Sequence, residues 1–417
     1  MWRVVFSALI VAASLAPAQT PEEAGLAPEI LNLAKIKLRM EENLNSLPNY
    51  TCTQTTERSR RNAANRRFQL IDTLRLEVAL SNGKELYGWP GSRRFDDRDL
   101  TDMVSGGAIG TGAFGSHARS VFLSNAAKFE FAGEQLHEGK PVLVYRYNVP
   151  QIFSGYTIRI GKDKAIVGYF GRVFVDSKSL DLVRLEVHAS DIDPILSLKE
   201  AYTNMDYARV KIGESDFLLP LGADLTMVDN DGGESRNRMQ LSACRQYTGD
   251  STITFDEPPL TNEPAPASKT STVIELPKGL TIDLRLDAPI VFAKSAVGDP
   301  FTGSVTADAK LKGKILVPKG AKVYGRITRL QTSIGVTSII YLGVEFVRVE
   351  FPGGEADLPA YLESAIAALG NGRSSNSASP DHNVDEGAII VSSAVRELPK
   401  GTSMKLRVEP AVTGGPK

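Results

Sequence analysis

Two cysteines, Cys52 and Cys244, carry the most constrained chemistry in this 417-residue chain. They lie in strand-like stretches of similar type, NYTCTQTTE and QLSACRQYTG. In an oxidising compartment an even count permits a bridge, and two buried free thiols are the alternative. A bridge would tie the first strand of the first half to its last. The loop it closes is large enough for a chain-entropy contribution of roughly 5 kcal/mol, which native strain can erode. Bridged sulfurs are also lost as nucleophiles.

The other reactive side chains form no constellation. The histidines are His117, His137, His188 and His382, and no two share a metal-ligand spacing. HEGKP at His137 is no HExxH, and no GxSxG elbow occurs. His188 and Asp191 are close in sequence but lack a nucleophile and a pocket. Asp96, Asp97, Asp99 and Asp102 interleave with Arg93, Arg94 and Arg98, which reads as local pairing rather than a calcium loop. Gly110-Thr111-Gly112-Ala113-Phe114-Gly115 matches GxGxxG, yet no buried strand precedes it, so a dinucleotide site is not expected. The expectation is a protein with no catalytic residues, no cofactor and no metal. The glycine-rich segment reads instead as a lid loop, with Ile109 and Phe114 as its apolar contacts. Arg58, Arg60, Arg61, Arg66 and Arg67 crowd RSRRNAANRR between two strands. They are a candidate basic patch for anionic lipid, polyanion or an acidic partner. With 48 Lys+Arg against 49 Asp+Glu, no global field favours nucleic acid.

These residues need a scaffold. Residues 1–18 read as a signal peptide: MWR, then the apolar run VVFSALIVAASL, then Ala16-Pro17-Ala18. Cleavage after Ala18 is expected. No cysteine follows the run as a lipobox would require, and it is short for a bilayer span of about 20 residues. A periplasmic or secreted protein, not an integral membrane one, is the expectation. Residues 28–47 predict a helix, with Pro28 at its first position and one apolar stripe of Ile30, Leu33, Ile36, Met40, Leu44 and Leu47. From Tyr50 to about Phe255 the period is two. Hairpins are expected around 137–140, 176–179 and 231–233, giving an antiparallel meander whose apolar face the helix covers.

Residues 257–271 are a proline-rich linker between a first domain, 19–256, and a second, 272–417. In the second, LPKG at Leu276, VPKG at Val317 and LPKG at Leu398 each launch an alternating strand. Proline presets φ for the second position of such a turn and glycine supplies the positive φ two positions later. LPAYLESAIAALG reads as one helix, and residues 370–387 as a disordered insertion. The fold class is mainly β: an N-terminal helix covering a large antiparallel half-barrel sheet, plus a second small β-barrel or sandwich domain.

Residues 28–250 resemble the LolA-like group, which includes periplasmic lipoprotein carriers and sensor domains of the MucB/RseB type. The most telling stretch is GRVFVDSKSLDLVRLEV, Gly171 to Val187. The resemblance implies an unclosed barrel whose concave face holds acyl chains. LPKGLTIDLRLDAPI, VGDPFTGSVTAD and ILVPKGAKVYGRI are more faintly similar to the β-barrel of TrbI-type conjugation proteins. Together these readings imply an exported, non-enzymatic envelope protein. It would bind a lipid or lipoprotein acyl chain in its first domain and an envelope protein through its second. A structural adaptor without ligand is the alternative, and an envelope hydrolase a third.

Overall fold

The computed structural model describes residues 26–64, 67–81, 84–92, 95, 100–104, 108–246, 275–333, 339–369, 373–376, 378–379 and 388–409. The signal peptide and the 257–271 linker lie outside the described residues. So do Arg66 and most of the 93–99 charge cluster.

The chain opens with α1, Pro28–Ser46. Strands β1, Tyr50–Arg61, β2, Gln69–Ser81, and β3, Lys84–Gly88, follow. Two short helices come next, α2 at Leu100–Met103 and α3 at Ser116–Leu123. Then come β4, Lys128–His137, and β5, Lys140–Val149, and a small hairpin of β6, Thr157–Ile160, and β7, Asp163–Ile166. The first half ends with β8, Gly168–Asp176, β9, Leu182–Ser190, β10, Leu198–Ile212, β11, Ser215–Asp229, and β12, Glu234–Gln246.

One antiparallel sheet takes ten of these strands in the order β3-β2-β1-β12-β11-β10-β9-β8-β5-β4. The three expected hairpins are present as β4–β5, β8–β9 and β11–β12. At the β8–β9 turn, Asp176 accepts from the amides of Lys178 and Ser179, and these bonds, the Ser179 one foremost, hold its carboxyl below the usual range. The sheet curls round α1, which buries Ile36, Met40 and Leu44 among Leu143, Val173, Leu185 and Met205. Each such side chain contributes about 1.5–3 kcal/mol by leaving water. Asn43 fixes the helix in place by donating to the Leu218 carbonyl and accepting from its amide, at 3.0 and 2.9 Å. Ile30, expected on the same stripe, is exposed.

β1 and β12 are neighbours, third and fourth in the order, and here Cys52 and Cys244 are bridged across a separation of 192 residues. The register slips between Thr51 and Thr53, where the single Cys52 stands opposite Ala243 and Cys244. Ala243 takes φ +48°, as the extra residue of a bulge does.

The second half forms another sheet round one core. Its strands are β13, Thr281–Leu286, β14, Ile290–Val291, β15, Pro300–Val305, β16, Ala309–Leu311, and β17, Lys314–Val317. They continue with β18, Lys322–Ser333, β19, Ile339–Phe351, β20, Gly354–Asp357, β21, Ala360–Leu369, and β22, Arg373–Asn376. The last are β23, Ala378–Ser379, β24, Ala388–Ser392, β25, Glu397–Leu398, and β26, Ser403–Val408. The main path runs β22-β21-β26-β13-β15-β18-β19-β24-β23.

The three PKG turns have one geometry. Gly279, Gly320 and Gly401 have φ of +82, +87 and +83°, a region that favours glycine. Each glycine amide donates to a strand carbonyl, of Val408, Val305 and Leu286 respectively. In each, the residue after glycine bonds back to the proline carbonyl, so proline occupies the first turn position rather than the second. The predicted helix over LPAYLESAIAALG is instead β21, paired with β26. Its Ala, Leu and Glu favour a helix locally, but buried Leu362 and Ala365 and the ladder to β26 override that preference. Within 370–387, expected disordered, residues 373–376 and 378–379 form short strands.

The halves join at an edge of the first sheet. β3 covers only Glu77–Ser81 of β2. Beyond it, Val297 bridges Leu74 in parallel, donating to Thr73 O and accepting from Arg75 N at 2.8 Å each. Both carboxylate oxygens of Asp299 lie 2.6 Å from Arg75 Nη1, and Arg326 lies 4.8 Å above the Trp89 ring. Gly298, at φ +100°, lets this happen: a Cβ there would stand 2.2 Å from Arg75 O.

Two outcomes are expected. Replacing Cys52 and Cys244 by alanine should cost about 2–4 kcal/mol, read by urea unfolding with and without reductant. A shift that reductant reproduces in the native protein but not in the variant identifies the bridge as its source. Gly298→Val should detach the halves without unfolding either, seen as a second calorimetric transition. A single unchanged transition would show that the joint contributes little.

Candidate functional site

The concave face of the first sheet is mostly filled. Under α1, Ile36, Met40 and Leu44 belong to one buried cluster with Leu143, Val173, Leu185 and Met205. The opening lies to one side, beneath the glycine-rich segment 108–115.

That segment is clamped by polar groups. Asn237 Nδ2 donates to Ala108 O at 3.0 Å. Glu85, on β3, accepts from the amides of Gly112, Gly115 and Ser116 at 2.9, 2.9 and 3.0 Å, and Tyr87 donates its hydroxyl to the same carboxylate at 2.7 Å. Donor-rich glycine loops bind phosphate when their amides are free. Here a side-chain carboxylate occupies them. The glycines serve close packing: a Cβ on Gly110 would meet Leu225 Cδ2 at 2.6 Å, and one on Gly112, at φ +93°, would meet His117 Nε2 at 2.9 Å.

The two expected lid residues divide. Phe114 is buried against Tyr50, ring centroids 4.9 Å apart, and anchors the segment. Ile109 is half-buried and lines a cavity of about 160 Å³. The floor is Gln54 and Thr56 of β1, Ala223, Leu225 and Met227 of β11, and Asn237 and Met239 of β12. The β6–β7 hairpin closes the side with Tyr156, Ile158, Arg159 and Lys164. A second cleft, about 660 Å³, shares Thr111, Tyr156 and Thr157 with it and contains Glu85, His117, Ser120 and Tyr169.

This neighbourhood is rich in buried ionisable groups. Burial pushes the Tyr156 hydroxyl up to about 12 and raises Tyr50 and Tyr207 further, with the negative charge of Glu85 adding to both. The hydroxyls of Tyr50 and Tyr207 have no hydrogen-bond partner among the described residues. His117 packs edge-on to Tyr156 at 5.1 Å. Desolvation lowers its pKa, partly offset by Glu85 and a backbone hydrogen bond to Thr111. Ser120 bonds Tyr169 at 2.5 Å. The sequence did not single out Glu85, Gln54 or Asn237, and it offered His117 only as a histidine with no partner at metal-ligand spacing. Its one available signal was that inward positions of β1 and β12 carry Gln54, Thr56, Arg58 and Asn237, where an ordinary sheet core would be apolar.

Of the candidate basic patch, Arg58 is drawn into the interior, its guanidinium paired with Asp72 at 2.7 Å. Burying such a pair is tolerated only with both partners present. Arg60 pairs with Asp229 at 3.4 Å, Arg61 pairs with Glu234, and Arg67 is exposed. His188 lies stacked between Phe170 and Tyr202, at 5.4 and 5.5 Å, away from the cavity. Among the described residues no group of three His, Cys, Asp or Glu side chains is placed to hold a metal, and no helix is long and apolar enough to cross a membrane.

No family model matches the chain, and no curated protein does. Among solved structures, one similar chain is a domain described as an outer membrane lipoprotein-sorting protein, from Vibrio parahaemolyticus. It is 14% identical, with 52% of this chain and 92% of that one covered, at a TM-score of 0.28. Another is a DUF1329 family protein from Desulfovibrio piger, 10% identical, with 52% and 92% covered, at a TM-score of 0.29. At those scores neither likeness assigns a ligand or an activity to this chain.

The buried histidine gives the segment a pH dependence of definite sign. Unfolded, His117 titrates near 6.5; folded, it titrates lower. Between the two values the unfolded chain holds the extra proton, so stability rises with pH there. The contribution is complete above about 6.5 and lost as pH falls through the folded value. Glu85, Tyr156 and the Thr111 carbonyl are the groups facing it. Amide exchange in residues 108–118 should quicken from pH 7.5 to 5.5 relative to the β10–β11 ladder, after correction for intrinsic rates. A His117→Phe variant that kept the same acid response would refute this assignment.

Proposed function

We propose that this is an exported, non-enzymatic cell-envelope protein that holds an apolar ligand, a lipid or a lipoprotein acyl chain, in its first half. The observation that carries the reading is the cavity under segment 108–115. It opens on the concave face of a curled sheet, is lined by Ala223, Leu225, Met227 and Met239, and is roofed by a loop held by hydrogen bonds rather than by a packed helix. Preformed, mainly apolar concavities with a few convergent polar groups are the usual form of a small-molecule site. Export is supported by the leader-like first eighteen residues and by the Cys52–Cys244 bridge, a bond that persists in oxidising compartments.

The two halves are read as two domains, 19–256 and 272–417, joined by the proline-rich linker and by the Val297 joint. The second half, with one continuous core from Leu276 to Val408, is the part proposed to dock to another envelope protein. A ligand-free adaptor is the competing reading.

The whole protein, purified from a periplasmic preparation and extracted with organic solvent, should release close to one equivalent of lipid by mass spectrometry. Ile109→Trp, which fills the cavity, should abolish retention while leaving the melting temperature within a few degrees. No retained lipid and no uptake of a fluorescent acyl probe would leave the adaptor reading standing.

A further inference from the structure

The floor of the cavity is not simply apolar. Gln54 and Asn237 are each more than nine-tenths buried, and both line it. Each has one side-chain oxygen with no hydrogen-bond partner among the described residues. A buried amide oxygen left without a donor loses its hydration and gains nothing in return, so a pocket meant for hydrocarbon alone would not carry two.

The sense of the unmet group can be read at one of them. Asn237 Nδ2 donates to the Ala108 carbonyl, which can only accept, so the carboxamide cannot be turned round. Its Oδ1 is therefore a fixed acceptor. Gln54 is different. Its partner is the Thr56 hydroxyl at 3.2 Å, which can donate or accept, so Gln54 can present either its oxygen or its amino group. The register separates the two: Gln54 lies opposite Leu241 and Asn237 opposite Arg58, with the Thr56–Met239 pair between them. Leu225 and Met227 supply the apolar wall beside them. The volume, about 160 Å³, is roughly ten times what a single bridging water needs.

We propose that the ligand of this cavity is a short-chain amphiphile bearing an N–H or O–H donor, with the donor seated on Asn237 Oδ1 and a second polar contact available at Gln54. The inference rests on the apolar-ligand reading above and narrows it: hydrocarbon without a donor is selected against. Sites that hold a buried hydrogen-bonding group discriminate strongly against analogues unable to meet it.

The test uses the full-length protein and two isomers of equal size, 1-octanol and 1-methoxyheptane, which differ in possessing a donor. Each competes with 11-(dansylamino)undecanoic acid, followed by dansyl fluorescence. The wild type should be displaced by octanol at concentrations at least tenfold lower than by the ether. Asn237→Leu should bring that ratio close to one, and Gln54→Leu should lower it less, with melting curves confirming that both fold. Equal displacement of the wild-type probe by the two isomers overturns the inference and leaves the apolar-ligand reading intact. If the probe does not bind at all, that reading fails. Calorimetric titration with octanol then decides the inference alone: a saturable one-to-one heat lost in Asn237→Leu sustains it, and no heat ends it.

Discussion

Everything in the first half hangs on the pairing of β1 with β12. The two strands are far apart in sequence yet adjacent in the sheet, so their ladder closes a loop over most of the first half. Loop closure on that scale is entropically costly, and long-range ladders form slowly for that reason. The Cys52–Cys244 bridge acts on the same junction by restricting the unfolded chain. The bulge at Ala243 is what turns Cys244 toward Cys52. The covered concave face, the clamped glycine segment and the cavity all presuppose that junction, because Gln54 and Asn237 come from the two strands it joins.

The interior built on that junction is unusually polar for a sheet core. Arg58 and Asp72 neutralise one another, Glu85 collects four donors, and His117 remains within reach of that carboxylate. Low local dielectric strengthens each of these contacts and penalises any group left out. The result is a face divided in two. Beneath α1 and α3 it is closed by apolar packing, and beneath segment 108–115 it is held by directional bonds around a space. Gly171 shows the same economy of room on the opposite flank. A Cβ there would lie 1.8 Å from the Glu186 carbonyl, the oxygen that Tyr147 reaches at 2.7 Å.

Much of this architecture was legible from local pattern. Period-two alternation and turn residues place the hairpins, and the stripe through Ile36, Met40 and Leu44 places the helix against them. The repeated PKG turns announce three equivalent strand entries. What could not be read was set by partners distant in sequence. β21 looks helical until β26 is beside it. Arg58 looks like surface charge until Asp72 is opposite. Nothing in the GxGxxG segment itself shows that the carboxylate filling its amides comes from Glu85, well upstream of it. Gln54 and Asn237 are polar residues in strands, which is unremarkable until both prove to face inward.

The Val297 joint has a consequence for the edge of the first sheet. Unpaired strand edges are templates for another chain's backbone, and proteins commonly cover or charge them. β2 leaves such a stretch beyond β3, and the segment around Val297 occupies part of it with two backbone hydrogen bonds and an ion pair at Asp299. The second half is thus a guard as well as a neighbour. A first half separated from it would present bare amides and carbonyls near Arg75, and its nearest complementary surface in solution would be the same edge on another copy.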